Sequence, residues 1–293
     1  MKARSQVKLH SLELSGNRDL VANLHGQLIK FIKNISKLTP KSRRRQIHQL
    51  RVQSRRLRAW FSLLKTQAAF SAWRRPAKGV KKLTGLLSPI RSLDVSDLRL
   101  QAELKKLPKP LKNKLKFCHQ ALRTWRREAR QGLEKKVQKV LRRSLVSIPK
   151  PNISSRVASS LPMVIEAGRT QATDRARRAL ADYQAEPCLA KLHRLRIQLK
   201  KLRYHLEIEQ ALTGRPQTSL PVLKGLQDEV GILHDLEVLK GLLERKPVVR
   251  LAKQQGAEKE WREFLHRLEL EIAAGEKNFL PRHGRKLNRL LKS

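Results

Sequence analysis

Two stretches of the chain repeat one arrangement of histidine and cationic side chains, H-x-x-R-x-x-x-[RK]-x-x-R. It falls on His48, Arg51, Arg55 and Arg58, and again on His193, Arg196, Lys200 and Arg203. A guanidinium group is planar, donates paired hydrogen bonds to phosphate oxygens and keeps its charge at any relevant pH. The chemistry that suits this set is recognition of a phosphate anion. Either histidine can donate to phosphate as well, becoming cationic beside a polyanion and so strengthening binding at mildly acidic pH. Capping a helix or resting at the edge of a core suits each histidine equally well.

At about 100° per residue, the four positions span roughly an 80° arc of a helix. Leu50, Leu57, Phe61 and Leu64 centre the apolar face of the first copy, and Leu195, Leu199, Leu202 and Leu206 that of the second. The basic stripe lies roughly 110° from that centre, flanking the core side, and so should line a groove or inner channel. Four like charges on adjacent turns repel, and meeting the arrangement twice predicts compensation by a bound anion.

Neighbouring residues carry weaker signals. Arg56, Lys201 and the run Arg43-Arg44-Arg45 suit solvated surface, with Arg56 and Lys201 adjoining the stripe as secondary phosphate contacts. Tyr204 offers phosphate a hydroxyl donor, although a boundary residue with a wet tip fits it better. Glu207 follows Arg203 by one turn and predicts an i,i+4 pair that orients the arginine. Asp94, Asp235 and Glu237 read as carboxylates that orient basic residues, not as catalytic acids.

The elements holding these residues are helical. Apolar residues recur at helical spacing over roughly 17–38, 42–70, 77–88, 90–107, 110–147, 157–183, 188–213, 219–245 and 250–292, and no alternating strand pattern appears. The fold class expected is all-α. Two prolines in Ile148-Pro149-Lys150-Pro151-Asn152 interrupt the pattern and predict a division into 15–150 and 151–293. An internal repeat supports two halves: IHQLRVQSRRLRAWFSLL from Ile47 matches LHRLRIQLKKLRYHLEIE from Leu192, and IRSLDV from Ile90 matches LHDLEV from Leu233.

The segments IHQLRVQSRRLRAWF, PIRSLDV, LHRLRIQLKKLRYHLE and LQDEVGILHDLEVL occur in this order over most of the chain, and together they resemble the CHAD family, the conserved histidine α-helical domain proteins. The resemblance implies two pseudo-symmetric antiparallel bundles of long helices around a central basic groove or pore that binds inorganic polyphosphate. Some members are found at polyphosphate granules. Carried over by position, the ligand-binding motif falls on the eight residues named above, with Lys81, Lys82 and Lys224 as further candidates beside the second motif pair. A polyphosphate chain threading one shared cavity between both stripes is the mechanism this suggests. The chain departs from the family at Arg91-Ser92, where Arg-Asp is usual, while the second half keeps His234-Asp235. Some members are fused to a triphosphatase-like domain with an ExExK strand. Here Glu207-Ile208-Glu209 and Glu269-Leu270-Glu271 lack the lysine, so no fused enzyme is expected.

Composition points the same way. Sixty-six Lys and Arg face 24 Asp and Glu, a formal charge of +42 that repels itself unless an anionic partner offsets it. Residues 1–150 carry 39 basic and 7 acidic side chains (+32), and 151–293 carry 27 and 17 (+10). A hydrophobic content of 40% suffices for real cores. Cys118 and Cys188 have no CxxC spacing, which argues against a thiolate metal site or a disulfide framework and fits a reducing, cytoplasmic setting. The basic N-terminus lacks an apolar run, and no stretch is long and apolar enough for membrane insertion.

Catalysis finds little support. Arg282-His283-Gly284 copies the tripeptide that opens histidine phosphatases, but it lies between Pro281 and a basic helix rather than after an N-terminal strand. No phosphate-binding glycine loop or HExxH motif occurs, and neither a cofactor nor a metal is expected. Nucleic acid is the secondary partner, since Trp60, Trp73, Trp125 and Trp261 follow helical apolar spacing and suit core packing better than base stacking. The expected function is therefore non-catalytic binding of polyphosphate or another phosphate polyanion.

Overall fold

A computed structural model describes residues 21–65, 68–150, 155–214 and 216–292, without the side chains of 68, 69, 155–159 and 212. The start of the helix expected over 17–38, and Pro151 and Asn152 of the proline-rich joint, lie outside the described residues. Helix α1 covers 21–36, followed by α2 (Arg44–Leu64), a 3-10 turn (Ala68–Trp73), α3 (Arg74–Lys105), α4 (Lys109–Lys114), α5 (Lys116–Arg130) and α6 (Leu133–Ser144). Then come α7 (Ser155–Ala185), α8 (Leu189–Thr213), α9 (Ser219–Leu243), α10 (Lys246–Gln254) and α11 (Glu258–Lys292). No strand occurs among the described residues, and the fold is all-α.

The expected break at Pro89 is absent, because α3 runs through it. The proline removes the N–H that would reach the Gly85 carbonyl. Both positions are exposed, so water can satisfy that carbonyl. Pro162 of α7 and Pro281 of α11 are likewise exposed inside helices. Conversely, the helix expected over 110–147 is three helices. Leu115 separates α4 from α5, and Gly132 takes φ +66° between α5 and α6, a left-handed conformation that costs glycine least. Gly256, at φ +58°, divides α10 from α11 in the same way.

By spatial contact the chain forms two compact units. The first gathers Met1–Ser88, Gly132–Asp174 and Lys201–Leu220, and the second gathers Pro89–Gln131, Arg175–Lys200 and Pro221–Ser293. Helices α3, α7 and α8 each contribute a segment to both.

In the first unit, Val21, Leu24, Leu28, Phe31 and Ile35 bury the i, i+3, i+4 edge of α1. Trp73 closes this core, its ring centroid 6.3 Å from Phe61 and 6.5 Å from Phe70. Full burial of each such side chain stabilises the fold by roughly 1.5–3 kcal/mol.

The second unit packs Leu236, Leu239 and Leu243 of α9 into a core with Leu100 and Leu104 of α3, Phe117 and Leu122 of α5, and Phe264 and Leu268 of α11. A Cβ at Gly275 of α11 would lie 2.2 Å from Leu233 Cδ2, so the glycine lets α11 close on α9 just before His234. Buried charge fixes α3 to α5. Asp94 lies 3.6 Å from Arg126 and 4.0 Å from Arg130, and Asp97 lies 2.8 Å from His119 Nδ1. Such pairs hold geometry more than they add stability.

Candidate functional site

The second basic stripe lies on α8, whose apolar residues Leu195, Leu199, Leu202 and Leu206 are all buried. That burial turns His193, Arg196 and Lys200 toward the flank of the helix, within the second unit, where α9 meets them. The rings of His193 and His234 stand 4.4 Å apart between centroids, tilted by 44°. Arg196 passes beside Gly231, its Nη2 3.7 Å from the point where a Cβ would sit. Asp235 follows on α9 and feels Arg196 and Lys200 of α8 together with Arg91 and Arg99 of α3. Glu237 Oε2 is 3.6 Å from His234 Nδ1.

Three helices thus bring four permanent cations and two histidines to one place, against the carboxylates of Asp235 and Glu237. The electrostatics reflect the excess. Burial first, then Arg196, His193 and Lys200, push the His234 imidazole down to about 4. Burial and Arg196 also lower His193, with Lys200 adding to the effect and Glu237 opposing it. Burial raises the Asp235 carboxyl above its ordinary range despite the four cations around it. At neutral pH both histidines are therefore uncharged. His193 Nδ1 is buried and makes no hydrogen bond among the described residues.

The first stripe lies in the first unit on α2, with Leu50, Leu57, Phe61 and Leu64 buried as the spacing predicts. Arg51 donates to Ser88 Oγ and, at 3.5 Å, to the Thr84 carbonyl of α3. Arg55 is half-buried, while His48 and Arg58 are exposed.

Arg203, the last residue of the second stripe, belongs to the first unit. Its Nε lies 3.3 Å from Glu207, the pair that the i,i+4 spacing predicts, and the other Glu207 oxygen is 3.5 Å from Arg56 Nε. The Arg203 guanidinium also lies 5.1 Å from the Tyr204 ring centroid. Arg56, Trp60, Tyr204 and Glu207 border a cleft of about 630 Å³. Lys81, Lys82, Lys201 and Lys224 are exposed on α3, α8 and α9.

Sequence reasoning gave no ligand role to Arg91, Arg99 or His234. Arg91 and His234 hold the same place in IRSLDV and LHDLEV, a signal that was available. Arg99 lies eight residues beyond Arg91 on a nearby face of α3, and only helical phase marks it. Of the tryptophans, Trp60, Trp73 and Trp261 are buried, and Trp125 is half-buried with Arg245 5.4 Å from its ring. His283 of the Arg-His-Gly tripeptide is helical, its Nε2 2.6 Å from Glu229. No group of three or more metal-ligating side chains occurs among the described residues, and none of their helices is long and apolar enough to cross a membrane.

A family model described as the CHAD domain matches residues 22–244. The chain belongs to the CHAD family. Its fold is similar to the crystal structure of the CHAD domain from the plant Ricinus communis, with a TM-score of 0.56 at 18% identity, covering 96% of this chain and 91% of that one. A search of curated proteins gives no match. The CHAD match includes both basic stripes and the α9 residues that meet the second.

Proposed function

We propose that this CHAD protein binds inorganic polyphosphate without catalysing a reaction, in the cytoplasm and at polyphosphate granules. The observation that carries the reading is the cluster of Arg91, Arg99, Arg196 and Lys200 around the adjacent, tilted rings of His193 and His234. Cations gathered so closely, with neighbouring histidines held neutral, are a site whose electrostatic strain an anion relieves. Arginines supply paired donors to phosphate oxygens, and a flexible phosphate chain offers one charge after another while releasing its counterions. Nucleic acid fits less well, since Trp60, Trp73 and Trp261 are buried and leave few rings for stacking on bases.

The test is a competition titration at near-physiological salt. Fluorescent long-chain polyphosphate is bound first, then challenged with unlabelled polyphosphate, single-stranded RNA and duplex DNA at equal phosphate concentration. Displacement by polyphosphate where the nucleic acids are ineffective is expected. Equal displacement by all three would make the protein a general polyanion binder.

A further inference from the structure

Helices α7 and α8 are joined by the short connection Glu186–Cys188, and within the second unit they enclose a groove of about 220 Å³. Its walls are Arg175, Arg178 and Asp182 from α7 and Lys191, Arg194 and Gln198 from α8. On each helix the spacing is i, i+3, i+7, one face of the turn. Running antiparallel from the connection, the two faces pair by register: Asp182 with Lys191, Arg178 with Arg194, Arg175 with Gln198.

The outer position is settled internally, because Lys191 Nζ lies 2.6 Å from Glu186. The middle one is not. In this register Arg178 and Arg194 stand opposite each other, both exposed and both lining the groove, and neither they nor Arg175 makes an ion pair or hydrogen bond among the described residues. Two facing guanidinium groups repel across a groove that could as easily have held an acid. The first copy of the repeat shows the alternative. Residues Lys191, Arg194 and Gln198 correspond to Gln46, Gln49 and Gln53, an all-amide face in which Gln53 accepts from Asn34 at 3.5 Å. The charged version thus belongs to the second copy alone, on a face of α8 distinct from the His193, Arg196, Lys200 stripe.

We infer that the α7–α8 groove is a separate binding site for a short inorganic phosphate chain, held between Arg178 and Arg194 with Arg175 at the end away from the α7–α8 connection. The facing forks supply bidentate donors from two sides, and the groove's small size favours two or three phosphates over a long polymer.

Calorimetric titration of the full chain with inorganic tripolyphosphate tests the site, with ATP as a parallel ligand. Arg178→Gln/Arg194→Gln should weaken a tripolyphosphate-binding event about tenfold or more, and Arg178→Lys/Arg194→Lys should fall between it and the unaltered protein. That event should persist in Arg196→Gln/Lys200→Gln, which tests the long-chain site separately. Unchanged tripolyphosphate binding in the glutamine variant, with its helical circular dichroism intact, would overturn the inference. So would loss in the Arg196/Lys200 variant alone. Equal or weaker binding of ATP is expected, and tighter binding of ATP would overturn the assignment to an inorganic ligand.

Discussion

Arg51 donates a hydrogen bond to Ser88 Oγ across the α2–α3 contact. In the second copy of the repeat, Arg196 corresponds to Arg51 and Gly231 to Ser88, and there the guanidinium runs past the bare glycine at 3.7 Å. The same approach of arginine to the neighbouring helix is thus built twice, once against a serine hydroxyl and once past a glycine. In the first copy the acceptor ties the arginine to α3. In the second the arginine adjoins Asp235 and the histidine pair.

Gly231 should be replaceable by alanine and not by a larger residue. Its would-be Cβ makes only ordinary contact with Arg196, so Gly231→Ala should raise stability by about 0.5–1 kcal/mol through backbone entropy. Polyphosphate affinity should hardly change. Gly231→Leu should lower stability by about 1–3 kcal/mol through overpacking and displace Arg196, weakening polyphosphate binding. Urea unfolding and the competition titration read the two effects separately. Normal affinity in a folded Gly231→Leu protein would remove Arg196's position from the binding argument.

The histidine pair should make the free protein sensitive to mild acid. His234 sits at about 4 in the folded state against an ordinary value near 6.5, so between those limits the unfolded chain binds more protons. Stability is therefore present above pH about 6.5 and falls as pH drops toward about 4, by a loss on the order of 1–3 kcal/mol. His193 is shifted in the same direction and adds to the loss. Asp235, raised above its ordinary range, opposes it at the acid end as its carboxyl protonates. His234→Gln should flatten the decline in urea midpoints across this window. Bound polyphosphate should reverse the effect by neutralising Arg196 and Lys200, so binding near pH 6 should take up protons. Calorimetry in two buffers of different ionisation enthalpy detects that uptake, which should shrink in His234→Gln.

Much of this arrangement can be read along the chain. Helices α8 and α9 fall where the spacing puts them, because their leucines recur without interruption inside each helix and Gly214, at φ +65°, turns the chain between the two. The orientation of both stripes follows from the same leucines, since burial of Leu195 and Leu199 leaves His193 and Arg196 no other flank. Proline misled where it was exposed: at Pro89 a lost hydrogen bond can be made good by water, and the helix continues. Arg99 illustrates the other limit. Its place beside Asp235 depends on how α3 lies against α9, a contact between segments more than a hundred residues apart that no local spacing encodes.

Charge reversal should separate a fitted site from diffuse attraction. With a formal charge of +42, any Lys→Glu or Arg→Glu change lowers the general field slightly, and the salt dependence of binding reports that field. Lys200→Glu places a carboxylate among Arg196, Asp235 and the two histidines, so it removes a donor and repels phosphate where the chain must come close. Arg143→Glu alters an exposed side chain near the end of α6, where only the Arg143 carbonyl is engaged, by Arg75. Both variants carry the same net charge, so a purely electrostatic surface must respond to them alike. Lys200→Glu should weaken polyphosphate binding at least about tenfold more than Arg143→Glu, given the strength of charge-assisted hydrogen bonds. The gap should survive at higher salt, where the long-range term fades first and short, partly buried contacts are screened least. Equal losses that vanish together as salt rises would leave diffuse attraction as the whole of the binding.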